Sequence, residues 1–210
     1  GRLDVLVVQR DNDRVVILSG GGQNGRGDLT LTTYLTVLAG DQPSAVLARD
    51  FNADGILDLA VAHAGASIVN TYVGNSVNIY VGAMSAGVWS HSSVATYAVG
   101  TAPRGITIAD FDKDAILDIA VANSGSDNVT LLKGGGTNWV GTGAFSVLGT
   151  YSVGENPRAI EAADLDADGI LDLAVVLYNV DSVAFLKGSG SGGRGTGAFG
   201  AAVLYGVGDG

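Results

Sequence analysis

Eleven of the 21 acidic residues fall in three short clusters: Asp50, Asp54 and Asp58; Asp110, Asp112, Asp114 and Asp118; and Asp164, Asp166, Asp168 and Asp172. Carboxylates on alternate positions of a tightly curled loop can converge on one centre. Crowding them there costs free energy unless a positive charge neutralises them, so the chemistry they suit is binding of a hard cation. A solvated acidic loop would account for one such run. It does not account for the same spacing recurring three times between apolar stretches.

Other chemistries find less support. The chain has no cysteine, which excludes thiol catalysis, disulfides and Cys-type metal sites. A net charge of −10 disfavours nucleic acid and anionic lipid as partners. No apolar run approaches the ~18 residues of a membrane-spanning helix. Of the two histidines, His63 follows a strand and His91 lies in a loop or strand edge, and neither has the setting of a catalytic triad. The glycine-rich stretches "GGGQNGRG" and "GGGTNWVGTG" lack the Lys-Ser/Thr of a phosphate loop and read as hairpin turns. Arg26-Gly27-Asp28 spells an adhesion tripeptide, but Arg194-Gly195-Thr196 at the matching turn makes it a variation on a turn sequence. Asn128-Val129-Thr130 is a glycosylation sequon at a strand start. Trp89 and Trp139 stand near turns, where packing is a better reading than sugar stacking. We therefore expect no catalytic residues and no organic cofactor.

The clusters are positioned by a repeat. Their last aspartates, Asp58, Asp118 and Asp172, are 60 and 54 residues apart, and a further step of 54 back from Asp58 reaches Asp4. Pro43, Pro103 and Pro157 keep the same beat, as do Gly40, Gly100, Gly154 and Gly208. Periods of this size mark propellers, solenoids or arrays. The expected units are 1–42, 43–102, 103–156 and 157–210, together one repeat domain. Each reads as four short strands: one after the proline, one after the acidic loop as in "LDIAVAN", one as in "NVTLLKG", and one after a glycine-rich turn. The spacing predicts an all-β fold, with no sustained helical period.

The combination "PRAIEAADLDADGILDLAVV", "DSVAFLKGSG" and "GTGAF", in that order, resembles the FG-GAP-like or VCBS repeats of integrin-type β-propellers. The likeness runs through the whole chain. It implies a β-propeller of four-stranded antiparallel blades, with the first strand of each unit innermost and all acidic loops on one face. It also implies an extracellular or cell-surface location and adhesive, lectin-like or structural roles.

Calcium takes six to eight oxygens at ~2.3–2.6 Å, which suits these loops better than magnesium. The expected ligands in the first loop are Asp50, Asn52, Asp54, the Ile56 carbonyl and Asp58. In the second they are Asp110, Asp112, Asp114, the Ile116 carbonyl and Asp118; in the third, Asp164, Asp166, Asp168, the Ile170 carbonyl and Asp172. Gly55 and Gly169 make the turn, whereas the second loop carries Ala115 there, so weaker binding is expected. A helix on each side and a Glu at the twelfth position, as in an EF-hand, are absent: Val61, Val121 and Val175 stand there.

The expected function is a non-enzymatic, calcium-stabilised binding, adhesion or assembly module. Its expected partners are carbohydrate, an extracellular protein or matrix, or further copies of itself. A lectin using the loops Asn123–Asn128 and Tyr178–Asp181 is a second reading, and the propeller portion of a polysaccharide-active enzyme a third. Alignment of the units places Gly1 in mid-loop, so that three blades are complete and one lacks its first strand. That leaves 15 strands, Asp4 as an orphan ligand, and a ring larger than this chain or completed by another.

Overall fold

The computed structural model describes residues 4–23, 26–65, 75–86 and 88–208. These residues form antiparallel sheets and no α-helix, with one 3-10 turn at Arg10–Asn12. Among the described residues no helix is long and apolar enough to cross a membrane.

The first sheet has β1 (Val5–Gln9), β2 (Arg14–Gln23) and β3 (Arg26–Leu38) in that order. The second has β4 (Pro43–Arg49), β5 (Asp58–His63), β6 (Ser76–Ser85) and β7 (Val88–Ala98). The third repeats it with β8 (Pro103–Ala109), β9 (Asp118–Asn123), β10 (Asn128–Thr137) and β11 (Val140–Ser152). The fourth starts with β12 (Pro157–Ala163) and β13 (Asp172–Leu177). Its two remaining strands each break in two, as β14 (Ser182–Leu186) with β15 (Gly188–Ser191), and β16 (Arg194–Phe199) with β17 (Val203–Gly206). The expected 15 strands are thus 17 segments among the described residues.

Each proline opens the first strand of its sheet. That is the position where a missing N–H costs the ladder least. The first strands also lie side by side: Ser44 Oγ donates to the Pro103 carbonyl at 2.7 Å, and Gly105 is packed against the backbone of Arg158 and Ala159.

Strands β5 and β9 are buried on both faces along their full length. Alternation divides their side chains between two cores. Ala60 and Ala62 pack with Ile119, Val121 and Leu132 between the second and third sheets. Leu59 and Val61 pack with Val15, Val37 and Tyr80 between the first and second. A third core joins Ala120, Ala122 and Leu131 to Leu173, Val175 and Leu186. The small residues on one face and larger ones on the other set the spacing between successive sheets.

Candidate metal centre

Each acidic loop links the first strand of a sheet to the second. Its first aspartate closes the curl in the same way each time. Asp50 accepts the N–H groups of Asp54 and Gly55 at 3.2 and 2.8 Å. Asp110 accepts those of Asp114 and Ala115 at 3.0 and 2.8 Å, and Asp164 those of Asp168 and Gly169 at 3.1 and 2.9 Å. The fifth residue then accepts from the seventh: Asp54 from Ile56, Asp114 from Ile116 and Asp168 from Ile170. The curl requires two left-handed residues per loop. Ala53, Lys113 and Ala167 have φ of 59°, 57° and 60°, and Gly55, Ala115 and Gly169 have 82°, 65° and 83°. Ala115 therefore carries the strain expected of it.

The last aspartate is buried and fastens the loop to the third strand. Asp58 accepts from Phe51 and Gly82 at 2.8 and 2.7 Å, Asp118 from Phe111 and Gly134 at 3.1 and 2.8 Å, and Asp172 from Leu165 and Gly188 at 3.0 and 2.8 Å. Asp4 holds the same place in the first sheet and accepts from Gly20 at 3.1 Å. The glycine is dictated by the approach. A Cβ on Gly82, Gly134 or Gly188 would stand 2.3 Å from the carbonyl oxygen of Leu57, Leu117 or Leu171. Burial pushes the Asp118 carboxyl up to about 6, against the two N–H bonds and Lys133. Burial raises Asp58 too, against the same pair of backbone bonds.

Carboxylate oxygens of Asp110, Asp112 and Asp114 lie within 4.8 Å of one another, as do those of Asp164, Asp166 and Asp172. Asp112 Oδ1 is buried and has no hydrogen-bond partner. An all-oxygen donor set with an unsatisfied buried oxygen fits a hard cation such as calcium.

Sequence reasoning missed two lysines. Lys133 donates to Asp112 and, at 2.9 Å, to Asp114; Lys187 donates to Asp166 and pairs with Asp168 at 3.0 Å. Desolvation opposes the charge on Lys133, yet the bonds from Asp112 and Asp114 raise its pKa well above the ordinary value. Burial likewise works against ionisation of Asp114, but Lys133 and the Ile116 N–H hold its carboxyl below the usual range. The signal was present in the repeat, because both lysines follow their last aspartate by the same interval, in "LLKG" and "FLKG". The first loop has Val81 there, and its Asn52 amide donates to Asp54 at 2.9 Å instead.

The other candidates separate by burial. His63 is buried, with Nδ1 3.1 Å from the Asp41 carbonyl and Nε2 unpartnered. Trp89 is buried and donates to the Leu57 carbonyl at 2.7 Å, whereas Trp139 is 73% exposed. Asn123 is fully buried, and its amide donates to Asn128 and Thr130, both at 2.9 Å. Its side chain is thus committed inside the loop where a sugar site was considered. Tyr178 is exposed and lies under Arg158, 4.8 Å from its guanidinium. The Arg26-Gly27-Asp28 backbone belongs to β3, and its side chains lie outside the described ones.

The family model for the FG-GAP-like repeat matches residues 1–61 and 110–175. No curated protein matches the chain. Among solved structures, a functionally unknown protein from Desulfotomaculum acetoxidans is similar at a TM-score of 0.56 and 15% identity, covering 96% of this chain and 55% of its own. A protein from Lactobacillus plantarum is similar at a TM-score of 0.57 and 18% identity, covering 95% and 52%. These likenesses concern the fold. The chain spans about half the length of both structures.

Proposed function

The chain belongs to the FG-GAP-like repeat family, and from that premise we propose that it is a calcium-stabilised β-propeller-type module that binds or assembles outside the cell and is not an enzyme. The observation that carries this reading is the threefold recurrence of one curled carboxylate loop on one scaffold, with Asp112 Oδ1 left over as a buried acceptor. Side-by-side first strands support the propeller arrangement, with those strands nearest the axis.

In this reading Asp50, Asn52, Asp54 and Asp58 hold one calcium ion, Asp110, Asp112, Asp114 and Asp118 a second, and Asp164, Asp166, Asp168 and Asp172 a third. The carbonyls of Ile56, Ile116 and Ile170 complete the sets. Bound calcium supplies charge neutralisation and cross-links each loop, a structural role. The chain's own part is to preorganise the oxygens through the backbone bonds described above. The non-enzymatic reading rests on the use of the prominent acidic clusters in these loops and on the burial of His63.

Calcium titration by calorimetry, with a chelator arm followed by thermal melting, tests the metal. The expected result is three sites and a lower Tm in chelator. No heat together with an unchanged melt would overturn it. A carbohydrate role has one favourable observation, the exposed rings of Trp139 and Tyr178. A calcium-dependent glycan array, compared with a Trp139→Ala variant, decides that point.

A further inference from the structure

One end of the first strands gathers arginines. Arg104 and Arg158 hold the same place in β8 and β12, directly after the proline that opens each strand. Ser44 holds that place in β4, and its hydroxyl is engaged by the carbonyls of Ala62 and Pro103 at 3.2 and 2.7 Å. Arg10 reaches the same end from the 3-10 turn after β1, where it donates to Gln42 Oε1 at 2.9 Å, next to Pro43. The acidic loops lie at the other end of these strands, roughly 20 Å along the chain from Arg104 at ~3.3 Å per residue.

The chain gives two of these arginines a partner and leaves the third without one. The residue before each proline is Gln42, Ala102 or Asn156, and its N–H is accepted by Asp13, Asn75 or Asp127, each at 2.9 Å. Gln42 accepts from Arg10, and Asn156 Oδ1 accepts from Arg158 Nε at 3.0 Å. Ala102 offers Arg104 no such acceptor. The carboxylate that Asp13 and Asp127 bring to this end is replaced there by the neutral amide of Asn75. Arg104 Nε is accordingly buried with no hydrogen-bond partner. Among the described residues the ion pairs are made by Lys133 and Lys187, and none of the three arginines belongs to one. Burial, and then the like charges of Arg10 and Arg158, lower the Arg104 pKa from its ordinary value. A partly buried guanidinium among like charges is unfavourable until a negative group joins it.

We propose that this end of the first strands is an oxyanion-binding site, in which Arg104 pairs through its Nε edge with a carboxylate or sulfate group and Arg10 and Arg158 flank it. The Nε–H and one Nη–H of a guanidinium point the same way and match two oxygens of such a group. The site takes one small anion or the acidic group of a sugar, because a polyanion would meet the chain's net charge of −10 elsewhere. The inference is independent of the metal reading, since none of its residues belongs to an acidic loop.

Calorimetric titration of the intact chain with sodium sulfate and with sodium glucuronate, at an ionic strength held constant with chloride, tests it. One saturable site is expected. Arg104→Gln should weaken it about tenfold or more, because a charge-assisted bidentate pair is lost. Arg49→Gln removes the same charge at the acidic-loop end of β4, where Arg49 donates to the Ala48 carbonyl, and should leave the site unchanged. Asn75→Asp keeps the acceptor for the Ala102 N–H and adds a carboxylate, and Ala102→Asn restores the amide that Arg158 has. Each should weaken the site severalfold while leaving the melting temperature within a few degrees. Tighter binding of glucuronate assigns the oxyanion to an acidic sugar, and tighter binding of sulfate to a free inorganic anion; either supports the site. No saturable binding of either anion overturns the proposal. Equal losses in Arg104→Gln and Arg49→Gln also overturn it, because that pattern belongs to bulk charge, and so does full affinity in both Asn75→Asp and Ala102→Asn.

Discussion

The second and third sheets have the same strand order and the same backbone bonds closing their acidic loops, yet several positions around those loops differ. Asn52, Gly55, His63 and Val81 in the second correspond to Asp112, Ala115, Asn123 and Lys133 in the third. The second-sheet loop has one carboxylate fewer, a relaxed turn and no ammonium group, with Ala53 where the third has Lys113. The third-sheet loop has four carboxylates, a strained alanine at φ 65° and a lysine bound to two of the carboxylates. The same fold has thus been tuned in two ways. One loop has no lysine on its carboxylates, and the other compensates part of the charge from within. The difference separates what builds the loop from what adjusts its charge.

The building part is common to both, and its loss should be the largest effect. Asp58→Ala and Asp118→Ala each leave two backbone N–H groups without an acceptor in a buried place. An unsatisfied buried donor costs ~1–3 kcal/mol. Each variant should therefore lose about 2–6 kcal/mol of stability in chelator, by urea unfolding. A markedly unequal pair of losses would break the claim that the two loops are built alike.

Most of this scaffold was legible in the sequence because it rests on spacing. The last aspartates, the strand-opening prolines and the glycines before the third-strand turn are fixed by backbone geometry, which recurs with the repeat. The charge-tuning part was not. Lys133 and Lys187 recur at one interval after their last aspartates, but the sequence does not distinguish a lysine that reaches back across the sheet from an ordinary solvated one. Burial also divided residues that looked alike: Trp89 fills a core and Trp139 stands in solvent. The breaks in the fourth sheet, after Leu186 and after Phe199, gave no sequence signal, because the same motif runs unbroken through β10 and β11.

Calcium affinity should separate the two loops next. Calcium at a hundredfold excess over Kd stabilises the fold by ~2.7 kcal/mol per site. Because Lys133 must leave Asp112 and Asp114 before a cation can use them, Lys133→Ala should tighten the second site, by about tenfold for each ~1.4 kcal/mol of competition removed. Val81→Lys should weaken the first site in the same way. Calorimetry on chains with the other two loops disabled reads both. Unchanged affinity in both variants would show that the lysines are spectators.

The turn itself should have a smaller effect. A Cβ at Gly55 would meet no atom within 4 Å, so Gly55→Ala isolates the backbone cost of φ 82°. That cost is about 1 kcal/mol, and Ala115→Gly should recover somewhat less, since glycine loses more chain entropy on folding. Gly169→Ala should cost more than Gly55→Ala, because its Cβ would lie 3.1 Å from Gly193 Cα. Thermal melts in chelator give the order, and an equal loss at Gly55 and Gly169 would contradict it.

The smallest effect lies at the other end of the second strand, where the second sheet has His63 and the third has Asn123. Burial pushes the His63 imidazole below its ordinary pKa, against the Asp41 carbonyl bond and the charges of Asp13 and Asp41. A base that is harder to protonate when folded lets the unfolded chain bind more protons as the pH falls. Its contribution to stability is therefore intact above ~6.5 and is lost as the pH drops below that value. The carboxyls of Asp58 and Asp118 act in the opposite direction, because burial raises them and their cost to folding is relieved by protonation. Total stability against pH thus mixes both signs, and the informative quantity is the difference between wild type and His63→Asn. Asn123 already fills that position in the third sheet with its amide donating to Asn128 and Thr130, so the exchange fits the strand. The difference should be flat above pH 7 and should shift in favour of His63→Asn between pH 6.5 and 5. A parallel pair of curves through that interval would mean that His63 accepts its proton without opening the fold.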